Sequence, residues 1–95
     1  GYVVESLVPP DRPLPRHAFR LRWTPGPEGS RYHVRVTTED LRVLATAGDL
    51  TVPELLLEAD TFSTVVAGSR VLWQVDATLP GGETVPSPTF VTRVQ

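Results

Sequence analysis

The stretch GSRVLWQVDATLPGGETVPSP, residues 68–88, contains the pattern that decides the fold. In its first half, apolar side chains alternate with polar ones around Trp73, which is typical of a strand buried on one face. Val71, Val75 and Ala77 share the phase of this tryptophan. Two consecutive glycines follow, and glycine adopts positive φ without steric cost. The stretch therefore predicts a half-buried strand that ends in a tight turn.

Short strand-like segments recur along the rest of the chain, separated by turn-forming residues. The proline-rich residues 9–15 cannot form a helix or a central strand, so they predict an extended crossing segment. This pattern predicts an all-β fold, an antiparallel sandwich of two sheets with about seven strands, similar to immunoglobulin and fibronectin type III domains. The predicted strands are residues 2–8, 19–23, 32–36, 41–47, 62–67, 70–78 and 89–94.

Residues 51–62 are ambiguous. Thr51 and Glu54 have the spacing of a helix capping box, and Pro53 suits the first turn of a helix. The three consecutive leucines at 55–57 fit a short helix and a buried strand equally well. The capping residues favour a short helix near residues 52–60.

The composition indicates one small domain that spans residues 1–95. The net charge of −2 gives no electrostatic argument for nucleic acid binding. No apolar run is long enough to cross a membrane, so we expect no direct membrane insertion.

The chain has no Cys, Lys, Ile, Asn or Met, and the codons of the last four are AT-rich, which favours a GC-rich bacterial source. Because it opens at Gly1 without Met, we expect a fragment of a larger protein.

Residues 21–36 and 66–94 resemble a fibronectin type III domain. The family places a Trp on its second strand and a Tyr on its third, which Trp23 and Tyr32 match. An Ala-Gly-Ser turn at 67–69 then leads into a strand with the family's V-x-A ending. The family usually has a Tyr after this turn, whose hydroxyl ties the corner down, and Val71 stands there instead. The resemblance therefore implies a corner held by packing alone.

No residue pattern predicts catalysis, a metal site or a cofactor. His17 and His33 are isolated in sequence, and Ser69 lacks the G-x-S-x-G context of a nucleophile elbow. The adjacent Glu39 and Asp40 fit a solvated turn. Trp23 and Trp73 lie on the apolar phase of their strands, which favours the core over a sugar-binding platform. We expect a protein that is not an enzyme and that has no cofactor.

The pattern of the last third also looks like the C-terminal sandwich of bacterial anti-sigma-factor-like envelope proteins. This resemblance implies an extracytoplasmic, non-enzymatic module that mediates protein–protein contact or spacing in a larger envelope protein. Its partner would be another protein or another domain of the parent chain. The alternative is a carbohydrate-associated accessory domain of a secreted hydrolase.

The interaction face is predicted from strand phase. Leu72 and Gln74 point away from the core on one strand, and His33 and Arg35 do so on its predicted neighbour. Val43 or Leu44, on the next strand, would complete a small apolar patch with a polar rim. We expect association to use this face or its edge strand, and not the face of Arg20 and Arg22.

Overall fold

The computed structural model describes residues 1–95 as seven strands in two antiparallel sheets, with two 3₁₀ turns and no α-helix. The predicted all-β sandwich is therefore confirmed. The turns are Arg16–Ala18 and Ala59–Phe62. The strands are β1 (Phe19–Arg22), β2 (Arg31–Thr38), β3 (Val43–Leu50), β4 (Glu54–Leu57), β5 (Arg70–Thr78), β6 (Thr84–Pro86) and β7 (Phe90–Arg93).

The small sheet consists of β1 and β4, and the large sheet has the order β3-β2-β5-β6, with β7 also paired to β5. β6 and β7 thus form two parts of one edge, and they are separated at Ser87–Thr89. Ser87 holds this break against β5, because its N–H donates to the Val75 carbonyl and its hydroxyl accepts from the Val75 N–H, both at 2.8 Å.

The core lies between the two sheets. Trp23 and Trp73 are 0% and 1% exposed, and their ring centroids are 6.4 Å apart. The predicted burial of both tryptophans is confirmed, as is the alternation along β1, β2 and β5. The other large buried side chains come from the inward positions of these strands and from the flanking segments: Val4, Phe19, Leu21, Val34, Val36, Phe62, Val71, Val75 and Val94.

Residues 2–8 form an extended segment beside β1 and not the regular strand that was predicted. Pairing is limited to one bridge, Ser6 with Trp23, and to a few backbone bonds such as Leu7 N–H to the Arg22 carbonyl at 2.9 Å. The prolines that follow have no N–H to continue a ladder. The chain then crosses to the large sheet, where Leu14 pairs in parallel with Val94.

The predicted helix near residues 52–60 is wrong. Glu54–Leu57 is strand β4, which pairs with β1 so that Leu57 lies opposite Phe19 and Leu55 opposite Leu21. Leu57 is buried and Leu56 faces solvent, as strand alternation requires. Tertiary pairing overrode the local helix preference of the capping-box residues, because β4 supplies the backbone hydrogen-bond partners that β1 needs inside a sandwich.

The predicted strand at residues 62–67 is also wrong. Phe62 ends a 3₁₀ turn, and two further turns follow, with Val65 N–H donating to the Phe62 carbonyl and Ser69 N–H to the Val66 carbonyl. The Phe62 side chain is fully buried against Phe19, with ring centroids 4.5 Å apart. A buried aromatic in a compact turn therefore resembled the start of a strand.

The corner between β4 and β5 is held by Arg16, and not by packing alone as the resemblance implied. Its guanidinium donates from Nε to the Gln95 carbonyl at 2.8 Å, from Nη1 to the Phe62 carbonyl at 2.9 Å and from Nη2 to the Val65 carbonyl at 3.0 Å. The rigid donor fork of arginine suits this geometry. We call this arrangement the Arg16 clasp.

Candidate functional site

A row of side chains crosses the outer face of the large sheet. In β2, Thr37 lies opposite Val43 of β3 on one side and opposite Leu72 of β5 on the other. Leu72 in turn lies opposite Val91 of β7. Residues directly opposite each other in antiparallel strands share a face, so these four side chains adjoin across four strands. We call them the apolar row.

The apolar row is accessible to solvent. Val43 and Val91 are 47% and 44% exposed, and Leu72 is half-buried between them. Thr37 is only 6% exposed. Leu41, which is 66% exposed and has positive φ in the turn between β2 and β3, stands beside the row. A depression with a volume of about 230 Å³ lies beside the row and is lined by Arg35, Thr37, Leu41, Leu72, Trp73, Gln74 and Thr89.

Polar side chains border the row on both sides. On one side, Gln74 lies opposite Arg35 and donates from Nε2 to the Thr89 hydroxyl at 3.0 Å. On the other side, Arg70 forms an ion pair with Glu39 at 3.4 Å. Arg35 is in neither of the two ion pairs of the chain, so its charge is free to meet a carboxylate from outside.

The structure brings together three of the five residues predicted for this face. Leu72, Gln74 and Arg35 line the same depression, and His33 lies farther along the face, opposite Asp76. Leu44 packs against the core instead of joining the outer face. A register shift between Val36 and Thr37 accounts for this, because it changes which residues of β3 face outward.

Sequence reasoning missed part of the site. Of the two alternatives on β3, Val43 and not Leu44 lies on the outer face, whereas Leu41 and Val91 were not selected at all. Val91 follows Phe90 in a short strand of mixed polarity, and only the pairing register shows that it adjoins Leu72. The sequence carried no signal for the left-handed conformation of Leu41.

The outer face of the small sheet is different. Arg20 of β1 and Glu54 of β4 form an ion pair at 3.3 Å, with both side chains about half exposed. Leu56, which lies opposite Arg20, is 52% exposed. It is the one large apolar side chain exposed on these two strands, and single exposed leucines are common on protein surfaces.

The side chains considered for metal binding or catalysis do not form a cluster. No three His, Cys, Asp or Glu side chains come close enough to hold a metal ion together. Glu39 pairs with Arg70, whereas Asp40 accepts a hydrogen bond from the Thr38 hydroxyl, so the two carboxylates have separate partners. The hydrogen bond from this hydroxyl is the main cause of the lowered pKa of Asp40, and the hydrogen bond from the N–H of Asp40 itself is the second cause.

No helical segment of the structure is long and apolar enough to cross a bilayer.

The fold is a small all-β sandwich whose antiparallel sheets are compatible with an immunoglobulin or fibronectin type III domain. No family model matches the chain, and no curated protein is significantly similar to it in sequence.

Proposed function

We propose that the chain is a fibronectin type III-like interaction module without catalytic activity, which contacts a protein partner or another domain of a larger bacterial envelope protein. The proposal places it on the extracytoplasmic side, in a protein of the anti-sigma-factor-like kind. The observation that carries the proposal is the apolar row with its polar border, on the face predicted from strand phase.

The strand order supports the fibronectin-like assignment. The extended residues 2–8 lie beside β1, β1 pairs with β4, and the other strands form the second sheet. The family's Trp and Tyr positions also meet in space, since the rings of Trp23 and Tyr32 pack edge to face with centroids 5.5 Å apart. These are features of architecture, and they say nothing of a particular partner.

The chemistry of the row fits a protein surface. Protein interfaces place apolar side chains at the centre and polar groups at the rim, which is the arrangement around Leu72. A partner side chain of aliphatic type would fill the depression beside Leu41 and Leu72, and a neighbouring carboxylate would meet Arg35. The carbohydrate-associated alternative lacks comparable support, because both tryptophans are buried and neither can stack on a sugar.

The test compares two exposed leucines. Leu72→Arg places a charge in the centre of the apolar row, and Leu56→Arg places the same charge on the small sheet. A photo-crosslinking residue at position 72 or position 56, introduced in the parent protein in its host cell, identifies what each face touches. We expect crosslinks from position 72 to one defined protein or domain, and none to it from position 56.

The purified contact is then measured against both arginine variants. We expect Leu72→Arg to weaken binding by at least about tenfold, because burying an unpaired charge at the centre of an interface costs more than about 1.4 kcal/mol. Leu56→Arg should bind like the unmodified chain. Equal binding by all three proteins, or the same crosslink from both positions, would overturn the proposal.

A further inference from the structure

The outer edge of β7 is open. Leu14 donates its N–H to the Arg93 carbonyl and accepts from the Gln95 N–H, both at 2.9 Å, so residues 93 and 95 face this edge. The backbone groups of one strand residue point to the same side, and successive residues alternate. Val91 therefore also faces the edge. The N–H and carbonyl of Val91 and the N–H of Arg93 are left without a strand partner.

The chain itself keeps this edge clear. The segment that precedes Leu14 contains Pro9, Pro10 and Pro13, which have no N–H to donate to a neighbouring strand. The Arg12 N–H donates to the Pro9 carbonyl within the same segment. The segment diverges from β7 and leaves a groove of about 500 Å³ between residues 6–11 and residues 89–93. The open backbone groups of β7 lie along one wall of this groove.

The groove has apolar walls, with its two cations on the side of β5 and β7 and one carboxylate, that of Asp11, on the opposite side. Val8, Phe90 and Val91 supply the apolar surface. Arg70, Arg93 and Asp11 supply the charges. Arg70 is already paired with Glu39, whereas Arg93 contacts no carboxylate and donates from Nη1 to the Gly68 carbonyl at 2.9 Å. An acidic group that binds beside β7 would therefore meet one cation, Arg93, that no carboxylate pairs with, while Asp11, which is also outside both ion pairs, lies across the groove.

We propose that this groove binds a short, extended, acidic segment of a partner protein, which adds to β7 as a further strand. The backbone of the segment would bond to Val91 and to the N–H of Arg93, its apolar side chains would contact Val8 and Phe90, and a carboxylate would pair with Arg93. Strand addition of this kind gains affinity from main-chain bonds and specificity from alternate side chains. The groove shares Val91 with the apolar row, but the backbone groups that it offers point to the edge of the sheet and not to its outer face.

The first experiment uses the peptide acetyl-Asp-Val-Thr-Val-Asp-amide as the probe and follows backbone amide exchange by NMR. In the free protein, the amide protons of Val91 and Arg93 should exchange rapidly. A saturating concentration of peptide should slow both by about tenfold or more, as new hydrogen bonds protect them. The same peptide with Lys in place of both Asp residues should bind more weakly.

Three substitutions separate the contributions. Val91→Pro removes the outward N–H and leaves the ladder residues Phe90 and Thr92 in place, so it should abolish peptide binding. Val91→Thr keeps the N–H and should retain binding. Leu56→Arg, which places a charge on the small sheet away from the groove, should leave peptide binding unchanged.

Several results would overturn the inference. These are slow exchange at Val91 and Arg93 in the free protein, peptide binding by Val91→Pro equal to that of Val91→Thr, equal affinity for the acidic and basic peptides, and no binding at millimolar peptide.

Discussion

The small sheet and the large sheet both expose aliphatic side chains, but they distribute them differently. On the small sheet, Leu56 stands alone beside the ion pair of Arg20 and Glu54. On the large sheet, Leu72 adjoins Val91, and Val43 lies on the far side of Thr37 in the same row, because the register of four strands aligns them. The degree of exposure is similar in the two places, so exposure alone does not mark a surface for binding. The pairing register creates the patch.

The inner faces of the two sheets also differ. Each contributes one buried tryptophan, Trp23 from the chain that leaves β1 and Trp73 from β5. The indole N–H of Trp73 donates to the Thr92 hydroxyl at 3.0 Å. The indole N–H of Trp23 is buried without a hydrogen-bond partner. Two equally buried residues therefore differ in polar satisfaction, and this difference can be measured.

The largest expected effect comes from removing either tryptophan. Trp23→Ala and Trp73→Ala should each lower the free energy of unfolding by about 3–5 kcal/mol, since each leaves a large cavity between the sheets. Denaturant unfolding of both variants, followed by circular dichroism, measures the loss. A loss below about 1 kcal/mol at either site would mean that its ring does not pack in the core.

Breaking the Arg16 clasp should have the next largest effect, because it ties the connection between the sheets to the end of the large sheet. Arg16→Ala removes three hydrogen bonds to carbonyls and should lower the free energy of unfolding by about 2–4 kcal/mol. Arg16→Lys, which keeps the charge but not the planar fork, should lose an intermediate amount. If Lys and Ala behave alike and neither is destabilised, the clasp does not hold the corner.

Replacing each tryptophan with phenylalanine sharpens the comparison of the two inner faces. Trp73→Phe leaves the buried Thr92 hydroxyl without its hydrogen-bond donor, whereas Trp23→Phe removes an indole N–H that had no partner. Trp73→Phe should therefore be the more destabilising by about 1–2 kcal/mol. Urea unfolding of the two variants gives the difference, and the opposite order would contradict this account.

The smallest effect concerns the turn that places Leu41 beside the apolar row. Thr38 holds this turn, accepting from the Arg42 N–H at its hydroxyl and donating the hydroxyl proton to Asp40. The pKa of Asp40 is lowered in the folded state, so its contribution to stability is present above the ordinary value of 3.8 and is lost as the pH falls through the lowered pKa.

NMR titration of Asp40 in the variant Thr38→Val should show the pKa raised toward 3.8, because the hydroxyl is the main cause of the shift. Thr38→Ser keeps the hydroxyl and should retain the lowered pKa. Identical titrations in both variants would show that the hydroxyl does not set the pKa of this carboxyl.

Local alternation was sufficient to predict β1, β2, β5 and the burial of both tryptophans. It failed at Leu55–Leu57, where three leucines in a row carry no period and the choice between helix and strand depends on the partner strand β1. It also could not decide between Val43 and Leu44, because a bulge shifts the phase of β3 relative to β2. The row from Val43 to Val91 could not be predicted, since its members come from four strands whose register is a tertiary property.

The Arg16 clasp has a consequence for the rates of folding and unfolding. Its bond to Gln95 closes a separation of 79 residues, and its bonds to Phe62 and Val65 close separations of 46 and 49. Contacts at such distances along the chain carry a loop-closure cost that is recovered only once most of the sandwich is assembled. The clasp should therefore form after the folding transition state. Loss of the clasp would accelerate unfolding and leave the refolding rate nearly unchanged, so the clasp contributes to the kinetic stability of the folded domain.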